Sequence, residues 1–473
     1  MRCFRALAVL ILLLVSSVGG FSQSADGIAA KVDAIFATFD KPDSPGCALG
    51  VIKDGKLIYA RGYGMANLEH GIANGSKLVY DIGSTSKQFT AASILLLAQA
   101  GKLSLEDDVR KFIPELPVYQ KPVLIRHLIH HTSGLRDYLA LFSLAGVNFD
   151  DTTTEADALK IILRQKALNF TPGDEWLYSN SGYFLLSIIV KRVSGKSMSE
   201  FAKENIFDPL GMKHTLILDN HKRIVPLRVT GYAPNPKGGF QTEMSNFEQT
   251  GDGAVQTSVE DLLLWDQNFY EPKVGGKALQ DQMHAVGAFN DGRKLDYASG
   301  LFIEDYKGLR KVSHGGSWAG FRSELLRFPD QKFSVACLCN LGTLNPSLFA
   351  QQVADIYLAD QFKTTEAKAS TLRGTPPKLP DPMTLTAEQL TEYSGTYFSE
   401  ELDTTYRLAV ENGRLFLIDR NDTKRPLVSR TRELFTLMQG AQFEFTRNAA
   451  GKITGFGVNA GRIRGVRFVK QTK

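Results

Sequence analysis

Cysteine is scarce in this chain, with four in 473 residues. Cys3 lies in the N-terminal segment, which leaves Cys47, Cys337 and Cys339, an odd number with no Cys-x-x-Cys pair. That arrangement indicates neither a disulfide framework nor a zinc site, and the three read as buried thiols in strands. Histidine is thin too: eight residues and no His-Glu-x-x-His pair, so the sequence predicts no metal. Charge of one sign is also missing. Fifty-five Lys and Arg stand against 50 Asp and Glu, a net charge of +5, which argues against a nucleic-acid partner or an anionic membrane surface. The one long apolar run, residues 6–18, is too short to span a bilayer comfortably. With Arg2 and Arg5 before it and small residues after it, residues 1–24 read as a secretory signal peptide cleaved between Gly20 and Ser24. No cysteine follows the run to make a lipoprotein. The expected product is exported, periplasmic or secreted, with no stable membrane insertion after cleavage.

What is present is the composition of a globular protein, 43% hydrophobic and 22% charged, at a length that asks for two or three domains. Ile28, Val32, Ile35, Phe36 and Phe39 recur at helical spacing. Two β-like runs, 47–53 and 56–64, flank the hairpin signal Asp54-Gly55. An apolar helix is predicted over 84–100, stopped by Gly101, and a helix-rich stretch continues to about 212. A second antiparallel pair, 321–328 and 333–340, turns at Pro329-Asp330, and Asn345-Pro346 caps a helix to about 362. Strands at both ends around helices point to an α+β fold, one sheet closed by both termini beside an inserted helical region. Residues 363–383, with Pro376, Pro377, Pro380 and Pro382, read as a linker. Beyond it, residues 384–473 hold about eight short strand-like runs, one pair turning at Asn412-Gly413, as in a small β-barrel or sandwich.

Three segments carry possible chemistry. Ser84-Thr85-Ser86-Lys87 sets a serine three residues before a lysine, neighbours on a helical face, where the amine can reach the hydroxyl. First-turn N–H groups without helical partners can meet an oxyanion. The alternative is a capped helix with a solvated lysine. Tyr178-Ser179-Asn180 offers a phenol and an amide two residues apart. A nearby ammonium favours the phenolate, so Tyr178 is expected to ionise more easily than usual and to exchange the Ser84 proton. Asn180 can orient Lys87 or hold a substrate carbonyl. In His314-Gly315-Gly316-Ser317 the glycines let a substrate backbone lie close to a strand, and the Ser317 N–H can join that of Ser84. His314 is expected to bond Tyr178 or a substrate carboxylate, and Trp318 and Phe321 to line a wall or pack the sheet. The turn at 130–135 and the capped helix start at 257–261 read as structural.

In this order the three segments resemble the motifs of the serine β-lactamase and penicillin-binding-protein superfamily: Ser-x-x-Lys, Tyr-x-Asn, then Lys/His-Thr/Ser/Gly-Gly. The segments 125–135, 170–183, 209–212 and 251–265 look most like its class C β-lactamase-related hydrolases. The resemblance implies a catalytic domain over residues 25–362, an antiparallel sheet flanked by helices plus a helical lobe, with the site between them. It implies Ser84 as acylated nucleophile, Lys87 and Tyr178 sharing base and acid work, and Asn180, His314 and Gly316 binding substrate. The N–H groups of Ser84 and Ser317 would form the oxyanion hole. No cofactor is implied, and the partner is a small-molecule or peptide substrate. The C-terminal segment is similar to the lipocalin-like domain appended to some of these hydrolases. One departure bears on substrate: where β-lactamases and DD-peptidases usually carry Lys-Thr-Gly or Lys-Ser-Gly, this chain has His314-Gly315-Gly316, with no permanent cation and no hydroxyl beside it. The expectation is a peptidase or esterase for amides or esters, D-amino-acid or cell-wall peptides included. A β-lactamase or penicillin-binding DD-carboxypeptidase is the alternative, and a non-catalytic binding or scaffold protein the alternative of another class. Arg322 is a candidate replacement cation.

Overall fold

Asp54 and Gly55 both take positive φ, 48° and 75°, the backbone a two-residue hairpin loop needs. They turn strand β1 (Cys47–Lys53) back into β2 (Lys56–Tyr63), as predicted. The computed structural model describes residues 19–471 apart from 149, 367–371, 373–377 and 439. The expected signal up to residue 18, and about half of the predicted linker, lie outside the described residues. Helix α1 (Gly19–Phe36) takes in the last residues of that expected signal. No helix among the described residues is long and apolar enough to cross a membrane.

Late in the chain β3 (Phe302–Tyr306), β4 (Leu309–Trp318), β5 (Phe321–Phe328) and β6 (Phe333–Cys339) form an antiparallel meander, and β6 pairs with β1. The order is β3-β4-β5-β6-β1-β2, so chain segments some 250 residues apart close one sheet, as the sequence predicts. β6 is buried along its whole length, which explains its unbroken apolar sequence: a strand covered on both faces has no polar side to alternate. Val335 and Phe328 pack with Phe36 of α1 and Val353 of α5 (Pro346–Tyr357). Ala336 and Leu338 face the other core, built on α2 (Lys87–Gln99), α3 (Asn180–Ser194) and α4 (Val259–Gln267). The register of β3 against β4 ends at Ser313, so the edge of β4 from His314 to Trp318 lies open to the helical lobe.

Two expectations need correction. Ser84 is not in the α-helix: residues Gly83–Ser86 form a 3-10 turn and α2 starts at Lys87. Asp81 accepts the Gly83 N–H at 2.7 Å, and Gly83, at φ 47°, lies so close to the Ser317 backbone that a Cβ would sit 2.8 Å from its nitrogen. A 3-10 repeat of three residues keeps Ser84 and Lys87 on one side, so the pairing survives. Nor are all three cysteines thiols. Cys47 and Cys339 stand directly opposite each other in the β1–β6 register and form a disulfide, leaving Cys337 free and buried. Their spacing of 292 residues hides the pair from any local pattern.

Eight strands between Gly395 and Lys470 close into a barrel whose interior is filled by rings, Tyr393 against Phe435 at 4.8 Å and Phe456 against Phe468 at 5.0 Å among them. It is a packed core rather than a ligand cup. The barrel docks on the helical lobe through Arg136, whose guanidinium donates to Glu401 at 2.7 Å, to Gln165 at 3.0 Å and to the carbonyls of Arg464 and Gly465. Both members of the ion pair are more than nine-tenths buried. Removing one partner of such a pair strands the other charge, so Arg136→Ala should cost about 3–5 kcal/mol in denaturant unfolding. Lys166→Ala, at the exposed Lys166–Glu400 pair of the same interface, should cost at most about 1 kcal/mol. A thiol count gives a second check: expressed from residue 25 and denatured without reductant, the protein should present one reactive thiol, and three after reduction.

Candidate active site

The centre of the site is a lysine with no access to water. Lys87, at the first turn of α2, is 0% exposed. Its Nζ donates to Ser84 Oγ at 3.1 Å, to Asn180 Oδ1 at 2.9 Å and to the backbone carbonyl of Asp252 at 2.6 Å. Each acceptor comes from a different part of the chain. Asn180 is the first residue of α3, held by Asp137, whose carboxylate accepts the Asn180 N–H at 2.7 Å. Asp252 lies between two glycines. Gly251 has φ 101° and sits where a Cβ would be 2.4 Å from the Tyr183 carbonyl, so only glycine lets this loop reach Lys87. Burial drives the Lys87 ammonium from lysine's usual range to about 7; the carboxylates of Asp252 and Asp137 oppose that fall and Arg462 adds to it. The same burial raises Asp252, whose carboxylate accepts the Tyr138 hydroxyl at 3.1 Å.

Tyr178 lies over this pair, with Lys87 Nζ 4.9 Å from its ring centroid. Its hydroxyl faces Ser84 without forming a hydrogen bond to any described residue. The expectation of an easily ionised phenol is overturned: burial raises the Tyr178 pKa, and Ser84 and Arg462 only moderate the rise. Desolvation outweighs the nearby cations, the ring being half-buried and packed against His131.

His314 also departs from expectation. It hydrogen-bonds Tyr297 rather than Tyr178, whose ring centroid lies 6.2 Å from its own: its Nε2 is 3.1 Å from the Tyr297 hydroxyl and its Nδ1 2.7 Å from the Gly315 carbonyl. The same hydroxyl is 3.2 Å from His131 Nε2, and His131 Nδ1 is 3.2 Å from the Ser179 N–H. The two ends set every proton in this chain. A carbonyl only accepts, so His314 Nδ1 carries a hydrogen and Nε2 takes the Tyr297 proton. A backbone N–H only donates, so His131 carries its hydrogen on Nε2 and gives it to Tyr297. Both imidazoles are neutral, His314 pushed down to about 3 by burial and by Lys87, and His131 pushed well down in the same way. The relay ties the Tyr178 loop to β4. His131, read from sequence as part of a structural turn, packs against the Tyr178 ring with centroids 4.1 Å apart and planes tilted by 33°.

β4 and β5 are stitched to the Ser84 turn by Thr85 Oγ1 donating to the His314 carbonyl at 3.0 Å and Ser323 Oγ donating to the Ile82 carbonyl at 2.7 Å. A Cβ at Gly316 would sit 1.9 Å from that Ile82 carbonyl, which accounts for the glycine. Ser84, Lys87, Tyr178, Asn180, His314, Gly316 and Ser317 are thus brought into one region. All but the buried Lys87 line a cavity of about 950 Å³. Trp318 and Phe321 form part of its wall, with Phe247 5.4 Å from Trp318. Arg322 lines it too, but its guanidinium is already donating to the carbonyls of Ala319 and Phe321.

Four groups escaped sequence reasoning: Asp137, Asp252, Tyr297 and Arg462. The last comes from the barrel, in the turn between β7 (Ile453–Ala460) and β8 (Ile463–Lys470). Its guanidinium carbon is 4.5 Å from the Tyr178 ring centroid, and it pairs with Asp137 at 3.6 Å. Only the glycine of Ala460-Gly461-Arg462 marks that turn in the sequence. Asp252, between its two glycines, had the clearest available signal.

A serine opening on a cavity and paired with a buried lysine, set between an antiparallel sheet and a helical lobe, defines the β-lactamase/transpeptidase-like fold. A family model described as Beta-lactamase matches residues 32–358, and the chain belongs to that family. It is 32% identical over 303 residues to a penicillin-binding protein from Bacillus subtilis, covering 60% of this chain and 66% of that protein. It is 31% identical over 313 residues to a D-aminopeptidase from Gluconobacter oxydans, covering 66% of this chain and 58% of the relative. The chain thus spans less than two thirds of the length of these curated relatives. The structure of the octameric penicillin-binding protein homologue from Pyrococcus abyssi superposes with a TM-score of 0.62 at 23% identity, covering 95% of this chain and 100% of that one, so the shared fold extends into the barrel.

The relay predicts the effect of one atom. Tyr297→Phe leaves the His131 Nε2–H and His314 Nε2 unpaired in a buried site, and should cost about 1–3 kcal/mol in denaturant unfolding.

Proposed function

We propose that this protein is an exported serine hydrolase acting through a Ser84 acyl-enzyme on amide or ester substrates, D-amino-acid or cell-wall peptides among them. The observation that carries the reading is the environment of Lys87. As an ammonium it has three hydrogens for three acceptors. As a neutral amine it has two, which satisfy Asn180 and the Asp252 carbonyl and leave its lone pair aimed at the Ser84 hydroxyl. With burial bringing its pKa to about 7, both states are accessible at neutral pH.

The steps follow from that arrangement. Neutral Lys87 takes the Ser84 proton as Oγ bonds to the substrate carbonyl carbon, and the N–H groups of Ser84 and Ser317 receive the oxyanion. Tyr178, a neutral phenol, gives its proton to the leaving amine or alcohol as the carbonyl–heteroatom bond breaks, and the phenolate takes back the proton that Lys87 received, which returns both groups to their starting state. Water then repeats the sequence on the acyl-enzyme in reverse roles. D-amino-acid substrates are favoured by the relatives named D-aminopeptidase. A β-lactam or C-terminal carboxylate is less favoured, because His314 is neutral and both its nitrogens are engaged within the protein. Export is supported by the Cys47–Cys339 disulfide, a bond of oxidising compartments. The turn with Arg462 lines the cavity, which gives the barrel a part in substrate selection.

Ser84→Ala should abolish labelling by a fluorophosphonate and lower kcat/KM at least about 1000-fold on the best of a panel of D-amino-acid amides, esters and β-lactams. Unchanged turnover in that variant rejects the reading. The activity should rise with pH through about 7, because only deprotonated Lys87 accepts the Ser84 proton. Arg462 disfavours the ammonium, so Arg462→Ala should move that limb to higher pH; Asp252 favours it, so Asp252→Asn should move the limb lower. Paired pH profiles of kcat/KM read both signs.

A further inference from the structure

The cavity does not end at the oxyanion site. It folds around the open edge of β4, where His314 faces the helical lobe and Gly315 faces α5. Glu324 stands opposite Gly315 in the β4–β5 register. Its carboxylate fills the space a side chain at 315 would need: a Cβ there would lie 2.8 Å from Glu324 Oε2 and 3.3 Å from Ser347 Oγ. Ser347, in the first turn of α5, donates its hydroxyl to Glu324 Oε2. Beside them Lys311 pairs with Glu304 at 2.7 Å, both largely buried. All these residues line the cavity that holds Ser84. This corner therefore places two carboxylates, Glu304 and Glu324, against one cation, in a region where Glu324 itself is only 5% exposed.

We propose that Glu324 is a specificity-determining residue that receives a cationic group of the substrate, an ammonium reached past the bare backbone of Gly315. The proposal rests on the hydrolase reading above and adds the charge of the molecule it acts on. A substrate ammonium supplies the missing cation of the Glu304–Lys311–Glu324 set and hydrogen-bonds a carboxylate shielded from water, where such a bond is strong. Burial raises the Glu324 pKa, and an arriving cation favours the ionised form again. A substrate carboxylate entering the same corner meets two negative groups. Arg322, a cation of the same strand pair that also lines the cavity, donates from Nη1 to two backbone carbonyls and interacts with Glu243. Gly315 is what makes the arrangement possible, since a serine or threonine there would displace the Glu324 carboxylate.

The test uses matched aryl esters and anilides that differ only in an aminomethyl, ethyl or carboxymethyl group, placed on the acyl side in one series and on the leaving-group side in the other. The full-length wild type should turn over the ammonium member at least tenfold better in kcat/KM than the neutral one in one series, and the carboxylate member worst. Which series responds tells an α-amine of the acyl residue from an amine on the departing one. Glu324→Gln should remove the preference through KM while neutral members stay within twofold, and Glu324→Asp should restore part of it. Calorimetric titration with n-hexylammonium and with n-hexanol reads the subsite without turnover. Ammonium should bind more tightly to the wild type and lose that advantage in Glu324→Gln. No turnover of any ester with that binding difference intact rejects the hydrolase reading alone. Equal rates and equal binding for charged and neutral members, or a Glu324→Gln loss shared by all of them, overturns the proposal. Should Glu324→Gln not fold, the wild-type comparison alone decides it.

Discussion

The structure is organised around the desolvation of one ammonium. A lysine placed in a protein interior loses several kcal/mol of hydration unless protein groups replace the water. Here three acceptors do so, and each requires a separate piece of architecture: the 3-10 turn that brings Ser84 back over α2, the Asp137-held start of α3 that fixes Asn180, and the glycine-flanked loop that delivers the Asp252 carbonyl. The incompleteness of the compensation is the chemically useful part. Lys87 is held firmly enough to stay in place and loosely enough, in charge terms, to give up its proton near neutrality.

The same balance explains the two neutral histidines and the neutral phenol around it. With Lys87 and Arg462 already present, further positive charge in a dry site is costly, and the His131–Tyr297–His314 chain settles into a single pattern of protons. That pattern carries no charge and leaves no nitrogen free, so it serves as scaffolding between the Tyr178 loop and β4. The barrel belongs to the same electrostatic unit. Through Arg462 it adds a cation at the ring of Tyr178, and through the buried Arg136–Glu401 pair it is anchored to the segment that bears His131 and Asp137.

Much of the fold was legible because it rests on local rules. Asp54-Gly55 can scarcely do anything but turn a hairpin, Asn345-Pro346 starts a helix for reasons contained in four residues, and about eight short strand-like runs after residue 384 point to a β-barrel or sandwich, of which the structure is the barrel. The three motifs were legible for a related reason: Ser84 and Lys87 are three residues apart, Tyr178 and Asn180 two. What local rules cannot reach is a partner chosen by register or docking. Cys47 meets Cys339 because β1 pairs with β6, and Arg462 meets Tyr178 because a barrel turn docks on a lobe nearly 300 residues upstream. The protonation of Tyr178 was misjudged for the same reason. A neighbouring cation is visible in a sequence, whereas desolvation depends on everything packed around the ring.

By itself, then, the amino-acid sequence determined the order of the elements, the family, the serine–lysine pair and the absence of a fixed cation at the head of the glycine strand. These depend on neighbours along the chain or on residue identity. Only the tertiary structure decided which groups are charged, where His314 spends its two nitrogens, that two cysteines are joined, and that a carboxylate from β5 occupies the room left by Gly315. Those are matters of burial and of distance across strands, and electrostatic energies in a protein depend on both far more steeply than on sequence separation.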